Sequence, residues 1–108
     1  MPNAYKVLGQ LSPGSNLDFN LYTVPATTST VVSTMAVCNR GNTTTYRVAV
    51  RPGGATLANT HYLIFDNIVD SVDTIFLTLG LTLSTTDVVT VSANNSNVTF
   101  SLFGTEIT

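Results

Sequence analysis

Charge is what this chain has least of. Four Lys or Arg and six Asp or Glu make up 9% of its 108 residues, against about 25% in an ordinary soluble domain. Lys6, Arg40, Arg47 and Arg51 are the whole supply of cations, which disfavours nucleic-acid binding, because phosphate contacts need Lys and Arg. The net charge of −2 leaves little repulsion to keep copies or partners apart. Cys38 is the only cysteine and His61 the only histidine. A disulfide framework is therefore excluded, as is a zinc site built from His pairs or Cys clusters. One thiol is compatible with folding in a reducing cytoplasm. Tryptophan is absent. No apolar run approaches the ~20 residues of a membrane helix; the greasiest stretch, 75–83, is interrupted by Thr78, Gly80 and Thr82. Residues 1–6 show no basic segment followed by an apolar one, so no signal peptide is expected.

Thr, Ser, Asn and Val fill the space that charge leaves, and they are set out in alternating stretches. Strand signals recur every 8–14 residues or so, with turn residues between them. The pattern predicts strands over 4–11, 17–24, 30–39, 44–51, 60–65, 74–83, 87–93 and 98–107. Residues 74–83 alternate most cleanly, with Ile75, Leu77, Leu79, Leu81 and Leu83 on one face. Residues 30–39 are apolar on both faces, as in a central strand covered on both sides. Asn39-Arg40-Gly41-Asn42 reads as a hairpin turn, because Gly and Asn tolerate positive φ. Residues 66–73 read as a polar connector, and 55–59 as a loop or a short helical turn. No helix of ten residues is predicted. The fold class expected is all-β: a single antiparallel β-sandwich of about eight strands over residues 1–108, jelly-roll-like or immunoglobulin-like. The segment 1–11 is either an arm that pairs with a neighbour or an edge strand.

The candidate chemistry is thin. No catalytic residue, metal site or cofactor is expected, and the chain is read as non-enzymatic. Cys38 reads as a buried free thiol and His61 as a surface or interface contact. Asp66, Asp70 and Asp73 match no EF-hand spacing and read as solvated loop acids. Asp87 reads as a cap that accepts from turn amides. Arg47 and Arg51 lie four apart on one strand face, ~13 Å along it, suited to pairing with acids of this chain or of a neighbour. Arg40, Arg47, Arg51, Tyr5 and Tyr62 are the candidate interface residues. Aromatics at dispersed strand positions are core or interface anchors, with a carbohydrate platform as the alternative.

Four segments have a shared look: Leu21-Tyr22-Thr23-Val24-Pro25-Ala26, Val37-Cys38-Asn39-Arg40, Tyr46-Arg47-Val48-Ala49-Val50-Arg51-Pro52 and Leu102-Phe103-Gly104-Thr105-Glu106-Ile107-Thr108. In these the chain resembles short virion structural proteins of tailed bacteriophages, including cyanobacterial phages, over nearly its whole length. The resemblance implies an accessory β-sandwich of the virion. One form is a capsid cement (decoration) protein, a homotrimer bound to the major capsid protein on the outer capsid surface after synthesis in the host cytoplasm. The other is a tail-tip, baseplate or fibre component. It implies no catalytic residues. The sparse charge agrees with it: burying neutral faces against a shell avoids the cost of desolvating ions. The uncharged stretches 30–39 and 74–83 are where partners are expected.

Overall fold

Every predicted alternating stretch forms a strand. The computed structural model describes residues 3–15 and 17–108. The strands are β1 (Asn3–Leu11), β2 (Phe19–Thr23), β3 (Ser29–Asn39), β4 (Thr44–Arg51), β5 (Tyr62–Val69), β6 (Asp73–Leu83), β7 (Val88–Ala93) and β8 (Val98–Ile107). Two short 3-10 turns, Pro52–Gly54 and Asn59–His61, bracket the 55–58 stretch. The N-terminal segment is an edge strand from residue 3 onward, paired along its length with β8.

The strands form two four-stranded sheets, the first in the order β1-β8-β3-β6 and the second β2-β7-β4-β5. The antiparallel ladders β4–β5, β3–β6, β2–β7 and β1–β8 mean that the chain doubles back on itself as one long ribbon. That ribbon is then wound so that β8 also pairs with β3, and β7 with β4. This is jelly-roll connectivity, and the immunoglobulin alternative gives way to it. Between the sheets lies the core. Met35, Val37, Phe100 and Leu102 from the first sheet meet Tyr46, Val48, Val89 and Val91 from the second.

Three sequence expectations change. Asn39-Arg40-Gly41-Asn42 is not a hairpin turn, because β3 and β4 belong to different sheets. Gly41 is not among the glycines with positive φ. It is small because the Asn97 side chain occupies the space a Cβ would fill. The 66–73 connector is half strand: β5 continues through Asp66, whose φ is 53°, to the fully buried Val69. Pairing of Thr44 with Val69 and of Thr45 with Ile68 imposes that extension.

The third change concerns β3, which is central but covered on one side only. A line of irregular pairing crosses the first sheet at Val7/Gly9 of β1 and Val32/Thr34 of β3. One inward row is Gly9, Leu102, Met35 and Leu77, and the next is Lys6, Gly104, Val32 and Leu81. Between these rows β1, β8, β3 and β6 use three, two, three and four residues respectively. An odd count flips the side chains to the other face and an even count does not. So β3 buries Met35 and Val37 below the line but Thr30 and Val32 above it, which is why it reads as apolar on both faces. In β6 the surplus is absorbed at Gly80, whose φ is 61°, a left-handed conformation that glycine adopts without strain.

Candidate functional site

The phase flips sort the charges of the first sheet. Its strands hold only Lys6, Asp73 and Glu106. Asp73 pairs in register with the buried Asn39, and Lys6 and Glu106 lie on inward rows. The outward rows therefore carry no Asp, Glu, Lys or Arg on any of the four strands. They present Thr and Ser with a few large apolar side chains, including Tyr5 at 81% exposure and Phe76 at 70%. Val7 and Val31 are exposed on the same face. Where the pairing irregularity crosses it, a shallow trough of about 520 Å3 runs past Tyr5, Lys6, Val7, Ser33, Phe103 and Thr105, with Lys6, paired to Glu106, the one charged residue along it.

That neutral surface continues around the β6 edge. Among the described residues β6 pairs only with β3, and 74–83 carry no charge. Its inward residues Ile75, Leu77, Leu79 and Leu81 are half-buried, whereas Phe100 and Leu102 of β8 are fully buried. The sandwich is thus incompletely closed along this side. A long, uncharged free edge of this kind is a template for another strand unless something covers it.

The second sheet bears Arg47 and Arg51 on its outer face. Arg47 donates from Nε to Asp66 Oδ1 at 2.6 Å and from Nη2 to Oδ2 at 3.2 Å. Its guanidinium lies 4.0 Å from the centre of the Phe65 ring, which in turn meets Tyr62 edge-on at 4.9 Å. The hydrogen bond from Arg47 holds the Asp66 carboxyl below its usual range, and the same contact raises the guanidinium. Arg51 donates to Thr90 Oγ1, Asn20 Oδ1 and the Ala55 carbonyl, tying the 52–58 loop to the sheet. Arg40 is exposed and donates to Ser12 Oγ at 3.1 Å. Of the two kinds of partner open to Arg47, the structure supplies an acid of its own chain; Arg51 meets only neutral groups.

The remaining candidates take local roles. His61 Nδ1 accepts from the Ala58 amide at 3.0 Å. Asp87 caps as expected, accepting from the Gly53 and Ser84 amides. Cys38 is half-buried rather than buried, on an outward row of β3. Among the described residues no three metal-ligating side chains gather; Asp66 turns to Arg47 while Asp73 starts β6.

Two clusters escape sequence reasoning. Glu106 accepts a 2.6 Å hydrogen bond from Tyr22 and pairs with Lys6 at 2.8 Å, and Tyr22 also meets Thr30 at 2.8 Å. Lys6 and Tyr22 hold the Glu106 carboxyl low; burial foremost, then Glu106, pushes the Tyr22 phenol up to about 12. A signal existed: Glu106 continues the inward row of Val98, Phe100 and Leu102. The second cluster is Asn39, whose amide donates to the carbonyls of Asn42, Val69 and Asp70 and accepts from the Gly41 amide. Nothing in its local sequence separates it from a turn asparagine.

No protein-family model matches the chain, and comparison with curated proteins gives no significant match.

Proposed function

We propose that this chain is a non-enzymatic virion structural protein, a capsid cement protein that lays the outer face of its first sheet on the shell of major capsid protein. The observation that carries this reading is the scarcity of charge on that face, whose outward rows carry none and whose trough meets only Lys6. Docking it desolvates hydroxyls, amides and apolar groups and no unpaired ion, since Lys6 is already paired with Glu106, so the large cost of stripping water from unpaired charge does not arise. Short Thr and Ser side chains hydrogen-bond across a seam with little loss of rotamer freedom. Exposed Tyr5 and Phe76 supply the aromatic anchors that interfaces concentrate. The open β6 edge gives a second contact, to copies of the same chain in a homotrimer around a capsomer junction. The jelly roll serves viral capsid proteins and lectins alike, so it is consistent with the reading without deciding it.

The test mixes the purified protein with phage heads that lack it and follows co-sedimentation and heat resistance of the shells. Binding at hundreds of copies per head is expected, lost in Thr78→Glu and Phe76→Glu while both variants stay folded. Absence of binding, or equal binding by the glutamate variants, overturns the proposal. Location of the chain in cryo-electron micrographs at a single vertex would assign it instead to the tail.

A further inference from the structure

The opposite side of the sandwich holds a different kind of surface. Strand β2 begins at Phe19, opposite Val91 of β7, so it stops short of Ser92 and Ala93. Only an isolated bridge from Ser15 reaches Ala93 there. The shortfall leaves a half-open recess of about 230 Å3 on the outer face of the second sheet, lined by Asp18, Thr45, Arg47, Asp66, Ser92 and Asn94. Ser92 makes no side-chain hydrogen bond among the described residues, and its hydroxyl borders the recess. The side chains of Asp18, Thr45 and Asn94 likewise make no hydrogen bond among the described residues. Four polar groups thus converge on one small volume without hydrogen bonds to the rest of the described chain.

The fifth and sixth groups are fixed. Arg47 is held between the Asp66 carboxylate and the Phe65 ring, so that wall of the recess is ordered before any ligand arrives, which lowers the entropic cost of binding. The chemistry of the lining selects the ligand class. Two carboxylates against one guanidinium make the recess net negative, which disfavours phosphate or carboxylate. Carboxylate acceptors, an amide with both donor and acceptor, and two hydroxyls complement groups that both donate and accept at neighbouring positions. Those are the hydroxyls of a sugar ring. The volume falls below the ~300–1,000 Å3 of pockets for drug-sized molecules and suits a single ring.

We propose that this recess is a binding site for one neutral hexose unit of a glycan. It lies on the sheet opposite the charge-poor face and stays open whether or not that face is covered, so the inference stands independently of the docking role.

Saturation-transfer NMR of the intact protein with glucose, galactose, mannose and N-acetylglucosamine tests it. At least one sugar is expected to bind in the millimolar range, with amide shifts confined to residues 18, 45–47, 66 and 92–94. Asp18→Asn and Asn94→Ala alter exposed side chains and are expected to fold as the parent does. Each should weaken binding by about fivefold or more, as loss of a ligand hydrogen bond does. Thr78→Glu, on the other sheet, should leave binding unchanged. No transfer to any of the four sugars overturns the proposal. So does sugar binding that survives both recess variants, or the same amide shifts produced by inorganic phosphate or calcium chloride with no response to sugar.

Discussion

Tyr22 of β2 and Glu106 of β8 stand 84 residues apart and are joined across the two sheets by a 2.6 Å hydrogen bond. Lys6 on β1 completes the clamp from the edge. The core at this end is polar, so the sheets are held by charge-assisted hydrogen bonds where elsewhere they are held by apolar packing.

This clamp gives stability a dependence on pH at both extremes. Glu106 titrates lower in the folded state than in the unfolded one. Its contribution is complete above the ordinary Glu value and disappears as pH falls through the lowered folded value. Tyr22 titrates at about 12 when folded against 10.0 ordinarily. Its contribution is complete below pH 10.0 and is lost as pH rises from there to about 12. Melting curves across pH should show Glu106→Gln with a shallower acid loss and Tyr22→Phe with a shallower alkaline loss. An alkaline limb unchanged in Tyr22→Phe would contradict the assignment.

Tyr46 carries the one described buried side-chain polar atom without a hydrogen-bond partner, its phenol oxygen. The ring is buried and packs 6.1 Å from Phe100. Tyr46→Phe keeps that packing and removes an unsatisfied hydroxyl, so it should raise stability by about 1 kcal/mol. Urea unfolding measures it, and a loss of stability would point to a partner such as an ordered water.

Gly80 has no neighbour within 4 Å of where a Cβ would sit, so its need for glycine is conformational alone. Gly80→Ala should cost about 1 kcal/mol, the penalty of the left-handed region for a residue with a Cβ, and Gly80→Asn less. Equal melting temperatures for the two variants and the parent would count against a left-handed bulge at this position.

Asn39→Ala strands three carbonyls and one amide that its side chain now satisfies. The expected loss is about 3 kcal/mol, visible as a large fall in melting temperature. By contrast Arg47→Ala, which breaks an exposed pair, should move the melting temperature far less than Asn39→Ala does.

Eight strands were legible because alternation is a local property: Val98, Phe100 and Leu102 face inward for the same reason in any sandwich. The β6 face was legible too, because its irregularity uses an even number of residues and preserves the phase. In β3 the irregularity uses an odd number, and the two apolar phases looked like two covered faces. The turn at Asn39 was misread because its residues suit a hairpin, while the jelly-roll winding sends β4 to the other sheet. Ser92 was illegible: an alternating serine on β7 means nothing until β2 is seen to stop short beside it.

The sequence by itself determined an all-β chain with little charge and long uncharged strands, since composition and period-two patterning need no tertiary information. Only the tertiary structure decided which face those strands share. Pairing partners lie as far apart as Asn3 and Ile107, and register, together with where an extra residue is inserted, sets the direction of every side chain beyond that point. That placement turned Glu106 inward and paired it with Lys6, left one sheet face nearly free of charge, and put Arg47, Arg51 and the polar recess on the other sheet.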